Sequence, residues 1–250
     1  MERTKKSSAD RLYKAFIYVA LITLAITIII PVAWVFMASI KENSEFYGNP
    51  WAMPAGFYFQ NFVDAWGKAR MGDYMLNSVV VTALALVLLL VVALPAAYVL
   101  SRFEFKGRRF LNAAFMGGLF INVNYIVVPI FLMLVDGDKF LKDLVGGGFL
   151  LNNIFVLAVV YASTALPFTI YLLSGYFSTL AHDYEEAAYI DGAGYGTTML
   201  KIIFPMAQPS IITVILFNFL SFWNEYIIAM TLLSDPKGGK TLPVGLMQLT

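Results

Sequence analysis

The sequence predicts an all-α polytopic membrane protein, and three observations carry that prediction. Of its 250 residues, 60% are hydrophobic and only 13% charged, about half the charged share of a soluble domain. Uncharged runs cover residues 15–40, 74–101, 110–135, 144–181 and 202–224, each longer than the roughly 20 apolar residues a helix needs to cross about 30 Å of hydrocarbon. The basic residues fall in short clusters beside these runs. Lipid offers no partner to exposed backbone, and the runs are too long and uniformly apolar for barrel strands, so they read as helices.

Five spans follow, at about 15–40, 74–101, 110–135, 151–178 and 206–232. Residues 1–14 form an N-terminal segment carrying Arg3, Lys5, Lys6, Arg11 and Lys14, while Arg102, Lys106, Arg108 and Arg109 fill the loop after the second span. The positive-inside rule places both segments in the cytoplasm. The first run shows no small-residue cleavage pattern ahead of "KENSEF" and reads as an uncleaved anchor.

Alternation puts residues 41–75 outside, where Trp51 and Trp66 suit either an interfacial belt or a surface for an external partner. On the third span, Asn122 and Asn124 are candidates for a polar path, with interhelical hydrogen bonding as the commoner use of such residues. Gly146, Gly147 and Gly148 make a flexible turn before the fourth span. Pro95, Pro129 and Pro167 interrupt spans and can kink them. Near the end of the fifth, Asn224 precedes Glu225, the one formal charge deep in a predicted span. It reads either as a pathway or proton-relay group facing the bundle interior, or as a carboxylate near the outer interface bonded to Asn224 or Trp223.

The loop 182–205 breaks the apolar pattern with "EEAAYIDGAGYGTTMLKIIFP" at residues 185–205. Asp183 with Glu186 three residues on is an acidic variant of a capping box, so a short helix is expected through "YEEAAYI". It should stop near Gly192 or Gly194, where glycine can take positive φ. A second short helix is expected through "TTMLKIIF", with Pro205 and Pro209 near the start of the next span. A helix, a glycine break and a helix on the cytoplasmic face suit a docking knob better than a catalytic site.

Several chemistries are disfavoured. The chain has no cysteine and one histidine, His182, which leaves no thiol chemistry and little room for a metal site or an imidazole triad. "SDPKGGKT" at residues 234–241 has Ser234 where a phosphate-binding loop needs glycine. "GAGYG" follows no strand and is not a dinucleotide fingerprint. No basic patch suggests nucleic acid, and no nucleophile–base pair or paired carboxylate suggests a membrane enzyme.

Glu186, Ala187, Ala188, Gly192, Ile202 and Pro205 match the spacing of the "EAA" loop in permease subunits of bacterial ATP-binding-cassette importers, with Phe204 in place of the usual leucine. "NFVDAW", "YMLNSVVVT", "AAYVLSRFEFKGRR", "ALPFTIYLLSGYF", "SFWNEYI" and "TLPVGL" extend the resemblance to the carbohydrate branch over nearly the whole chain. The resemblance implies a type I importer permease bundle over residues 15–250. It implies a non-catalytic subunit in the bacterial inner membrane that binds no cofactor itself, ATP being held by the partner. Its implied partners are a second related permease, two ATPase subunits, an extracytoplasmic solute-binding protein and membrane lipid.

Glu185, Glu186, Ala187, Ala188, Asp191, Gly192, Ile202 and Pro205 are then the ATPase-coupling residues, and Asn122, Asn124, Asn224 and Glu225 the pathway or gating candidates. Family members usually continue into a sixth span. With five spans here the C-terminus would lie outside, so a missing sixth helix is expected. The alternatives are a permease for another small solute, and a proton-coupled secondary transporter built on Glu225. Against the latter stands the lack of repeated halves and of several buried polar groups.

Overall fold

A computed structural model describes residues 8–68, 70–234 and 239–247. Arg3, Lys5 and Lys6, and part of the "SDPKGGKT" segment, lie outside the described residues. The chain divides into two units, residues 1–68 and 69–250, and among the described residues every regular element is helical.

In the first unit, α1 (Ser8–Ser39) holds the apolar stretch Leu12–Ser39, none of whose most apolar window is buried. Two short helices follow, α2 (Asn43–Gly48) and α3 (Gln60–Lys68). The connection between α1 and α3 is ordered by polar contacts to backbone. Lys41, 1% exposed, donates to the carbonyls of Asn49 and Pro50, and Asn61 Nδ2 donates to those of Ser39 and Lys41. Trp34 donates to the Pro50 carbonyl and packs on Trp51, while Trp51, Tyr47 and Phe57 stay exposed.

The second unit is built on α4 (Met71–Arg102) and α7 (Ile154–Phe177). Helices in lipid gain little from hiding apolar surface from one another, so close backbone approach and packing must hold them together. Their shared core supplies small side chains for this: Ala85, Ala93 and Ala97 on α4, with Ala158 and Ala162 on α7, are buried with Leu89 and Leu157 between them. At its start α4 is tied to the segment 239–247, because Asn77 donates to the Lys240 carbonyl and Ser78 Oγ accepts from the Leu242 N–H. That segment carries α13 (Leu242–Met247), whose Gly245 lies so close to the Tyr74 ring that a Cβ would fall 2.1 Å from it.

Two of the expected spans are not single helices. The third divides into α5 (Arg108–Gly118) and α6 (Val123–Val145), bent by 105°. The Asn122 side chain accepts from the Asn124 N–H and starts α6 afresh. A Cβ on Gly118 would fall 2.8 Å from Pro167 of α7, so glycine lets the bend seat against that proline. Past its predicted end at 135, α6 runs on to Val145, with Asp136–Lys139 paired on its exposed side and the buried Asp138 paired with Lys142.

The glycine turn is more constrained than a flexible linker. Gly146 adopts φ 79°, and Gly148 packs directly on the Asp138 carboxylate, which accepts from the Leu150 N–H.

The fifth expected span also divides. α11 (Gln208–Trp223) ends at Asn224, and α12 (Ile227–Leu232) starts three residues later. Before α11, α9 (Tyr195–Thr198), a π-helical turn (Met199–Ile203) and α10 (Phe204–Met206) form one continuous element, bent by 76° from α11. Among the described residues three helices are thus long and apolar enough to cross a membrane, or up to five where each bent pair counts as one span.

Candidate functional site

The loop 182–205 contains α8 (Asp183–Ile190). Asp183 is not its N-cap: the helix begins there, and His182, with helical backbone and no side-chain bond to the N–H groups that open the helix, stands in the cap position. A side-chain cap needs extended backbone at that residue, which the tight turn out of α7 does not leave. The other member of the expected box, Glu186, points outward and is exposed.

Its neighbour Glu185 does the opposite. Glu185 accepts from Arg102 Nε of α4 at 3.1 Å, and the two side chains are 8% and 2% exposed. The same guanidinium donates to the carbonyls of Leu180 at 2.9 Å and Ala181 at 3.2 Å. His182 Nδ1 lies 3.3 Å from the other Glu185 oxygen. The Tyr98 hydroxyl is buried beside this carboxylate without hydrogen-bond geometry.

Aromatic rings continue the link to the second half of the loop. Phe103 packs edge-on against both Tyr98 and Tyr195, and Tyr195 against Tyr189.

α8 ends on Gly192, at φ 80°. The Gly192 N–H donates to the Tyr189 carbonyl and the Ala193 N–H to that of Ala188, the two bonds of a Schellman motif. Gly194 keeps negative φ and opens α9 instead. The second helix is longer than "TTMLKIIF", starting at Tyr195 and accommodating one π turn before Pro205.

The eight loop residues therefore divide by face. Glu186, Ala187, Asp191, Gly192 and Pro205 are exposed, Ile202 is half-buried, and Glu185 and Ala188 are buried within the chain.

A second polar site lies between α6, α7 and α11. A cleft of about 450 Å³ is lined by Asn124, Tyr161, Thr164, Asn218, Ser221 and Glu225, with aromatic walls. Glu225 sits in the break between α11 and α12, not inside a helix. Its Oε1 accepts from the Ile228 N–H at 2.8 Å, and its Oε2 from the Ala229 N–H at 3.0 Å and the Tyr161 hydroxyl at 2.8 Å. Neither Asn224 nor Trp223 is its partner.

Asn218, 3% exposed, donates to Thr169 Oγ1 and the Val214 carbonyl, joining α11 to α7. Of the four pathway candidates, Asn124 and Glu225 line the cleft. Asn122 caps α6, and Asn224 bonds back to the Leu220 carbonyl at the end of α11. Arg102, Tyr161 and Asn218 are absent from the sequence-derived candidates, because each acts through a partner in another helix.

Residues 94–249 match the family of binding-protein-dependent transport system inner membrane components. The chain is 37% identical over 229 residues to the diacetylchitobiose uptake system permease protein NgcG of Streptomyces coelicolor, covering 92% of this chain and 72% of that one. It is 33% identical over 232 residues to the probable ABC transporter permease protein YurM of Bacillus subtilis, covering 93% and 73%. Among solved structures, a chain from a bacterial ABC transporter involved in importing the acidic polysaccharide alginate superposes with a TM-score of 0.79 at 26% identity, covering 98% of this chain and 81% of that one.

Proposed function

Since this chain belongs to the family of binding-protein-dependent transport system inner membrane components, we propose that it is the permease subunit of an ATP-driven sugar importer. It forms half of the translocation path and carries no catalytic step of its own. Membership is the observation that carries this reading, and the carbohydrate class follows from the diacetylchitobiose and alginate systems its similar proteins serve. The N-terminus lies in the cytoplasm, and the loop 182–205 meets a separate ATPase there. A second permease completes the path, and an extracytoplasmic binding protein delivers the solute.

The division of faces on α8 supports the loop assignment. Glu186 and Ala187 offer a carboxylate and a small, closely approachable backbone to a partner, while Glu185 and Ala188 fasten the helix to its own chain. Work done by ATP on the exposed face would pass through these fastenings into α4 and α7. The cleft holding Asn124, Tyr161 and Glu225 is the proposed solute path. It places hydroxyl, amide and carboxylate groups between aromatic walls in the helical bundle, a combination suited to a polyhydroxylated ring.

The test is affinity capture of the tagged chain from its native membrane, with partners identified by mass spectrometry and solute uptake measured in reconstituted vesicles. The proposal expects an ATPase and a second permease in the captured complex, and sugar uptake that requires ATP. Capture of the chain alone, with uptake abolished by a protonophore, would overturn it in favour of a proton-coupled carrier.

A further inference from the structure

We propose that Arg102 is a positioning residue for α8, holding that helix in the one orientation that presents Glu186 and Ala187 outward. The inference deepens the reading of the loop as the ATPase contact and rests on it for its functional consequence. An isolated helix of eight residues is far below the length that persists in water, so α8 depends on what it packs against. Of its eight residues only Glu185 and Ala188 are buried. Ala188 offers a single methyl group, so the Glu185 carboxylate is the larger anchor, and its charged partner is Arg102.

The geometry requires arginine specifically. Nε serves Glu185, Nη1 serves the Leu180 carbonyl and Nη2 serves the Ala181 carbonyl. One rigid fork therefore fixes both the turn entering α8 and the helix itself to the end of α4. A lysine has one nitrogen on a flexible stem and cannot hold these three acceptors in their relative positions. The contact joins residues 83 positions apart. It is the only ion pair between α4 and α8 among the described residues, and it sits at the end of the helix that forms the main packed pair with α7.

The chain contains no cysteine, so paired spin labels on it need no background substitutions in the chain itself; the partner subunits are used with their cysteines replaced. Labels at Ile190→Cys on α8 and Val92→Cys on α4, both exposed, give a distance distribution across this junction in the assembled complex. The parent complex should show one narrow population. Arg102→Lys should broaden it, and so should Arg102→Met combined with Glu185→Leu. That double variant removes both charges and so leaves no carboxylate buried without a partner. In the same complexes, solute transported per ATP hydrolysed should fall at least tenfold, normalised to the amount of chain in the membrane.

A narrow distribution and an undiminished ratio in the double variant would overturn the positioning role and leave the pair a stabilising contact only. A broadened distribution with an undiminished ratio would uphold the positioning role and overturn the coupling reading instead.

Discussion

The Tyr161 hydroxyl donates to Glu225 Oε2 at 2.8 Å, tying α7 to the break between α11 and α12. The same carboxylate accepts from the Ile228 and Ala229 N–H groups in the first turn of α12. Glu225 therefore organises a helix start and a helix contact together, and its place in the cleft follows from both. Hydrogen bonds to a charged group contribute about 1.5–3 kcal/mol each. Tyr161→Phe, which deletes one of three bonds and keeps the ring stacked on Phe222, should lower the melting temperature of the purified complex modestly. Glu225→Ala, which deletes all three and leaves the donors unsatisfied, should lower it more. Equal melting temperatures for the two variants would refute this division.

Uptake separates the pathway assignment from the structural one. Glu225→Gln, with its one oxygen in the Oε2 position, keeps the acceptor for the Tyr161 hydroxyl and the Ala229 N–H and loses that for the Ile228 N–H, so the helix start should survive in part. If the carboxylate also contacts solute, the apparent KM should rise several-fold while the complex stays assembled. An unchanged KM would confine Glu225 to capping.

Gly192 ends α8 at φ 80°, with open space around the position where a Cβ would stand. The cost of a side chain there is conformational alone. A left-handed residue other than glycine costs roughly 1–2 kcal/mol, less for asparagine. Gly192→Ala should reduce transport per ATP hydrolysed, and Gly192→Asn should restore part of the loss. Gly148 offers the opposite case, since a Cβ there meets the Asp138 carboxylate at 2.1 Å. Gly148→Ala should therefore destabilise the α6–α7 connection even without any backbone strain, which limited proteolysis at residues 145–153 would reveal.

How much of this was legible in the sequence depends on the range of each interaction. The Gly192 stop follows from spacing within one short segment, whereas the fourth span, expected from about 151, starts as α7 only at Ile154, where the Asn153 side chain accepts from the Phe155 N–H. The break at 119–122 escaped because hydropathy stays high over Leu119, Phe120 and Ile121, and a membrane-length apolar run looks the same whether the helix is straight or bent. The break at 224–226 does carry Asn224 and Glu225, but these read as polar groups inside one continuous span. Asp183 as a cap failed for a related reason. Its sequence pattern is right, but the turn leaving α7 sets the backbone of His182 and draws Glu185 towards Arg102. Tyr161 lies 64 residues from Glu225 and Arg102 lies 83 from Glu185, so neither pairing leaves a local signal.

The adjacent alanines of α8 give the sharpest separation of fold from coupling. Ala188 is 4% exposed and faces the chain's own interior, whereas Ala187 is exposed beside Glu186. Both are small, and a sequence pattern treats them alike. Ala188→Leu forces three extra carbon atoms into a packed site, where overpacking typically costs about 1–3 kcal/mol, so the chain itself should become less stable and accumulate less in the membrane. Ala187→Leu adds the same volume on the open face and should leave accumulation and melting unchanged. If the loop docks into a partner, Ala187→Leu should weaken capture of the ATPase and depress uptake at least tenfold. Normal ATPase capture by Ala187→Leu would remove α8 from the coupling surface, whatever its effect in the buried position.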